Sequence, residues 1–94
     1  LHAAYARGEV TCVEVVGACL DRVAAFDRQG PALRALITVS PHALGVAAAC
    51  DAARRAGAPL PPLHGIPLVL KDNFDTADLP TTSGVAAFAR LVPP

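Results

Sequence analysis

Apolar residues recur at Cys12, Val16, Cys19, Val23 and Phe26, at steps of four, three, four and three. That rhythm lays one stripe along a helix. Glu14, Asp21, Arg22 and Arg28 fall elsewhere on the wheel. Thr11-Cys12-Val13-Glu14 has the form of a capping box, in which the Thr hydroxyl and the Glu carboxylate satisfy free N–H groups at a helix start. The pattern predicts a helix from Thr11 to about Arg28, stopping before Gly30-Pro31. Residues 1–8 read as the end of a preceding helix, with Gly8 at its C-terminus.

The pattern then changes. Ala35-Leu36-Ile37-Thr38-Val39 is apolar and β-branched without polar alternation, as in a short buried strand. Ser40-Pro41 signals a helix start, with Ser as N-cap and Pro at the first helical position. The alanine-rich stretch continues to Arg54-Arg55, two cations suited to the negative end of the helix dipole, and Gly57 ends it. Pro59, Pro61, Pro62 and Pro67 make residues 57–67 a stiff approach to the next element. Leu68-Val69-Leu70 reads as a second internal strand, and residues 72–84 as a polar loop. Helix, strand, helix, strand and loop in that order predict an α/β chain.

Ninety-four residues suffice for one small domain. The apolar share, 53%, is high for so short a chain, so these residues read as part of a larger core, although alanine inflates the figure. Eight basic and eight acidic side chains balance. Binding to nucleic acid or to an anionic membrane calls for a basic excess, and neither is expected. The N-terminus has no signal-peptide pattern, and no apolar run approaches the roughly 18 residues of a membrane span. The chain reads as soluble and cytoplasmic. The lack of any Met and the Pro93-Pro94 ending suggest a fragment.

Cys12, Cys19 and Cys50 are odd in number, which argues against a disulfide framework. Cys12 and Cys19 on one helix would stand about 10 Å apart at ~1.5 Å rise per residue, beyond the roughly 7 Å a disulfide tolerates. They are expected to be small buried hydrophobes. No His or second Cys lies beside them at ligand spacing, and Asp75 and Asp78 lack partners, so no metal is expected.

Lys71 carries the most chemistry. It follows the apolar run Ile66-Pro67-Leu68-Val69-Leu70 directly, at the carboxyl end of a predicted strand, where open α/β sheets place their ligands. Burial there disfavours an ammonium and would make the amine a base. The competing role is an ion pair with Asp72 or Asp75 that fixes the loop. His64 reads as a core or supporting histidine, Asp72 and Asn73 as loop-fixing groups, Thr81 and Thr82 as pocket rim or turn, Ser40 as a helix cap and Ser83 as a turn serine.

Pro62-Leu63-His64-Gly65-Ile66-Pro67, then Leu70-Lys71-Asp72-Asn73, Asp75-Thr76 and Leu79-Pro80-Thr81-Thr82-Ser83-Gly84, resembles the N-terminal part of the amidase signature family. Gly8-Glu9-Val10-Thr11 with the long helix, and Arg34 to Val39, are similar to that family's opening elements. The resemblance implies a mixed sheet flanked by helices, incomplete in residues 1–94, which would be the N-terminal portion of an amidase domain. It implies cleavage of carboxylic amides by a Ser–cis-Ser–Lys triad without a cofactor, a small-molecule amide as substrate of the full-length parent, and Lys71 as the triad lysine. A neutral Lys71 would take a proton from the bridging serine, which takes one from the nucleophile. The family's Gly/Ser-rich segment bearing both serines has no counterpart here; Ser40 and Ser83 are the only serines. The isolated chain is therefore expected to be inactive. Two other readings stand beside this one: a truncated product serving at most as an association module, and a fragment of the A subunit of a glutamyl-tRNA amidotransferase.

Overall fold

The computed structural model describes residues 1–94. Three helices carry the regular structure: α1 (His2–Arg7), α2 (Cys12–Phe26) and α3 (Ala43–Arg55), followed by a short 3₁₀ turn at Ala86–Phe88.

Their ends follow from local chemistry. The Thr11 hydroxyl accepts the Glu14 N–H at 3.1 Å, and the Glu14 carboxylate accepts the Thr11 N–H at 2.7 Å, so the capping box is closed. After α1, Gly8 takes φ +70° while Gly8 and Glu9 donate back to Tyr5 and Ala4. After α3, Gly57 takes φ +77° while Gly57 and Ala58 donate back to Arg54 and Ala53. Both are Schellman ends, which settle orphan carbonyls through one left-handed residue. Two boundaries differ from expectation. Helix α3 starts after His42; Ser40 sits just outside it, its hydroxyl accepting the His42 N–H at 3.2 Å. Helix α2 ends at Phe26 with Asp27 as its C-cap, and the buried Asp27 carboxylate accepts the N–H groups of Ala35 (2.6 Å) and Leu36 (3.3 Å).

α2 packs against α3. Tyr5, Cys12, Val16 and Ala47 form the buried core, with Val10, Val15, Leu20, Ala43, Cys50 and Ile66 packed around it. A carboxylate joins the helices at its centre. Asp51 of α3, 3% exposed, accepts the N–H of Cys12 at 2.8 Å and of Val13 at 3.1 Å. It therefore caps the start of α2 from another helix. Burial alone would push this carboxyl up, but those N–H groups, the Cys12 thiol and the charge of Arg55 hold it below its ordinary value of 3.8. The resulting stability is complete above pH 3.8 and is lost as pH falls through the lower folded value. Asp51→Ala is expected to cost about 1–3 kcal/mol, the usual cost of stranding a buried donor, read as a lower urea midpoint at neutral pH. That loss should shrink in acid.

The expected sheet is not formed. Residues 37–39 and 68–70 form no strand, and none of them donates or accepts a backbone hydrogen bond. A strand exists only against a neighbour that takes its N–H and C=O groups, and residues 1–94 supply neither segment with one. The expected burial is absent for the same reason: Leu68, Val69 and Leu70 are 63, 76 and 60% exposed. Cys19 and Phe26, placed on the inward stripe by their spacing, are exposed as well, and only Cys12 and Val16 of that stripe are buried. All three cysteines are free thiols.

The shape reflects this. The chain is a slab of 44 × 36 × 18 Å with a radius of gyration of 15.2 Å, against about 12 Å for a compact domain of this length. It exposes 6576 Å², where a folded monomer of this mass exposes about 5100 Å². No helix is long and apolar enough to cross a membrane.

Candidate active site

The arm that carries Lys71 is seated by a glycine. Gly65 has φ +66°, and a Cβ there would lie 2.2 Å from the Cys12 Sγ. Its carbonyl accepts the Tyr5 hydroxyl at 2.9 Å. The His2 ring lies 3.2 Å from the Pro61 carbonyl, a second tie from α1. Residues 61–66 thus rest on α1 and the start of α2, and Ile66 enters the core. Beyond Ile66 the chain leaves the helices along the exposed run to Leu70.

Lys71 opens a turn, in which Phe74 donates to the Lys71 carbonyl at 3.0 Å. The turn is clamped from ten residues away. One Asp72 carboxylate oxygen accepts the Thr82 N–H at 2.8 Å, and the other accepts the Thr82 hydroxyl. The Asp72 carbonyl accepts the Ser83 N–H at 2.8 Å, and Gly84 donates to the Thr82 hydroxyl at 3.0 Å. Thr82 is 4% exposed, the only buried residue after Asp51. Thr81 donates its hydroxyl to the Phe74 carbonyl, and Thr76 to that of Leu79. The Thr82 hydroxyl and N–H, helped by Gly84 and the charge of Lys71, hold the Asp72 carboxyl below the usual range.

Asp72 therefore fixes the loop, as its residue type suggested, but across ten residues rather than two. Asp72→Ala is expected to make the Thr82 amide exchange with solvent about tenfold faster, whereas Asp72→Asn, which keeps an acceptor for that N–H, should change it little. Amide exchange followed by NMR separates the two.

Lys71 is exposed and lies within 4.0 Å of no carboxylate, so neither the buried base nor the loop-fixing ion pair is formed within residues 1–94. It stands at the edge of a large open cleft of about 980 Å³, lined mostly by apolar residues of α2, residues 35–40 and residues 61–72. His64 lines the same cleft, its Nε2 buried without a hydrogen-bond partner. The two serines share no hydrogen bond. Ser40 precedes α3, and Ser83 sits exposed at φ +49° in the clamp, where its N–H is used and its hydroxyl makes no hydrogen bond.

Burial pushes the Cys12 thiol up to about 11, with Asp51 adding to it, so this cysteine is an inert packing group. The Arg54 guanidinium lies over Gly8 and its Nε is buried. Tyr5 and Asp51 are the positioning residues that the sequence did not reveal. A polar side chain amid the alanines of α3 was the one available signal for Asp51.

The chain is similar to known proteins along most of its length. The amidase family model matches residues 14–94. Among curated proteins, the A subunit of the glutamyl-tRNA(Gln) amidotransferase of Chloroflexus aggregans is 44% identical over 99% of this chain. Its counterpart from Mycolicibacterium paratuberculosis is 49% identical over 89%. Among solved structures, the peptide amidase PAM, in complex with the competitive inhibitor chymostatin, superposes with a TM-score of 0.95 at 45% identity over 99% of the chain. The native peptide amidase of Stenotrophomonas maltophilia gives 0.94 at 44% over 98%. The chain spans only 17–19% of the length of each of these proteins.

Proposed function

The chain belongs to the amidase family, and from that premise we propose that residues 1–94 are the N-terminal portion of an amidase domain that breaks carboxylic amide C–N bonds. Lys71 supplies the lysine of a Ser–cis-Ser–Lys triad. Both serines belong to the part of the domain without a counterpart in this chain, so residues 1–94 alone hydrolyse nothing. The observation that carries the reading is the arm of residues 62–84. Its motif lies within the family match, and its fold presents Lys71 at the rim of an open cleft on a turn held by Asp72 and Thr82.

The chemistry follows in order. The neutral amine of Lys71 accepts a proton from the bridging serine, that serine accepts one from the nucleophilic serine, and the alkoxide attacks the amide carbonyl. The amine then returns a proton to the departing nitrogen. The substrate class is a small-molecule amide, and no cofactor enters the scheme. Three free thiols suit a reducing, cytoplasmic setting.

Identities of 44–49% to the amidotransferase chains and 44–45% to the peptide amidases do not separate transfer from hydrolysis. The proposal is therefore the step that both share. The test is a chimera in which these 94 residues replace the matching fifth of the Stenotrophomonas maltophilia peptide amidase. A folded chimera that hydrolyses an amide supports the assignment; a folded chimera without turnover ends it.

A further inference from the structure

Two pairs of adjacent opposite charges take different forms in this chain: Asp27 with Arg28, and Lys71 with Asp72. In the first, Oδ1 of Asp27 accepts the N–H groups of Ala35 and Leu36. Its Oδ2 is left for Arg28, whose Nε lies 3.4 Å away. In the second, neither oxygen is left over. Oδ1 of Asp72 accepts the Thr82 N–H at 2.8 Å, Oδ2 accepts the Thr82 hydroxyl, and Lys71 enters no ion pair. Thr82 is 4% exposed, so water competes little for those bonds. Lys71 is nevertheless near enough for its charge to act on the Asp72 carboxyl.

The groups around Lys71 leave Asp72 as its one natural counter-ion. His64 of the arm, Cys19 of α2 and Cys50 of α3 line the cleft beside it, where Asp72 is the only carboxylate and no arginine takes part. Asp75 and Asp78 stand exposed on the same loop, outside ion-pair distance. A carboxylate paired with an amine favours the ammonium, which is the wrong form for a base. We infer that Thr82 is a positioning residue for Lys71: by occupying both oxygens of Asp72 it withholds the ion pair that the lysine's own neighbour offers, and the amine stays free to accept a proton. The part played in proton transfer rests on the proposed function; the withheld ion pair does not.

Lys71 is the only lysine, so its amine is followed without ambiguity. Acetic anhydride acetylates the free amine and not the ammonium, with the α-amine of Leu1 as internal reference. In the 94-residue chain at fixed pH, Thr82→Val releases Oδ2 and is expected to slow acetylation of Lys71 by about two- to fivefold, the strength of an exposed pair. Thr82→Ser, which keeps the hydroxyl, should restore the parent rate. Adding Asp72→Asn to Thr82→Val removes the charge and should restore it too. A rate that stays low in that double variant reports a disturbed loop and overturns the inference. So does an unchanged rate in Thr82→Val, or a rise above about twofold in Asp72→Asn alone, which would mean that the carboxylate already holds the amine. In the chimera, Thr82→Val is expected to move the acidic limb of kcat/KM to higher pH by about half a unit or more, and Thr82→Ser to leave that limb in place. Lower turnover with the limb unmoved overturns the inference while the amidase reading stands. A chimera inactive before any change at Thr82 ends that reading, and the acetylation rates still decide on the ion pair.

Discussion

Changing Lys71 to alanine in the chimera is expected to lower amide turnover by about 10²–10⁴-fold, the range of a positioned proton-transfer group. The same change should leave the folding of residues 1–94 within about 0.5 kcal/mol, because an exposed side chain without an ion pair holds nothing together. That contrast separates chemistry from scaffold. Lys71→Arg restores the charge but not the turnover, since a guanidinium does not give up its proton to become a base. For the lysine amine to work it must be uncharged, and its neighbours Leu68, Val69 and Leu70 supply apolar surroundings only once they are covered. Denaturation of the 94-residue variant and steady-state kinetics of the chimera are the two measurements. Turnover within a few-fold of the parent chimera removes Lys71 from the mechanism.

Gly65→Ala should be the most damaging single change to the fold. An alanine there must hold φ +66°, which costs about 1–2 kcal/mol for a residue with a Cβ. Its methyl would also stand 2.2 Å from the Cys12 Sγ, 3.2 Å from the Cys12 Cβ and 3.3 Å from the Tyr5 Cε2. Cys12 and Tyr5 are fully buried and have nowhere to retreat, and overpacking of that kind costs about 1–3 kcal/mol more. The combined loss, about 2–5 kcal/mol, is large beside the roughly 5–15 kcal/mol of an ordinary domain. Residues 61–71 are expected to lift off the helices, breaking the bond from the Tyr5 hydroxyl to the Gly65 carbonyl. Tyr5 is the sole tyrosine and there is no tryptophan, so its fluorescence reports the event directly. Cys12→Ala in the same background removes the sulfur clash but not the backbone strain, and should restore part of the stability. An unchanged denaturation midpoint in Gly65→Ala would show that the arm is not seated there.

The legible and illegible parts of this chain divide by range. Thr11 with Glu14, Gly8 and Gly57 act within a turn of themselves, and the helix ends they announce are present. Leu68 to Leu70 advertise a buried strand equally clearly, but burial and pairing are properties of a neighbour, and no sequence window contains its neighbour. Cys19 and Phe26 fail on the same ground: spacing defines a stripe, while the element laid against it decides which residues are covered. Asp51 and Asp72 show the opposite case. Each is an ordinary acidic residue to inspection, and each becomes decisive through an N–H that lies thirty-nine or ten positions away. For the site, the motif around Lys71 was readable as a set, whereas its seat on Gly65 and Tyr5 emerges only when α1 and the arm are seen in contact.

The clamp between Asp72 and Thr82 closes a loop of ten residues, and loops of that size close in about 10–100 ns. The helical body is complete once α3 is made, because Asp51 then caps the start of α2, and α3 precedes this loop in the chain. In a chain growing from the ribosome, the lysine's turn can therefore take shape as soon as Gly84 has emerged. On the proposed reading, the amine would already stand on a ready-made corner when the two serines of the triad arrived to meet it.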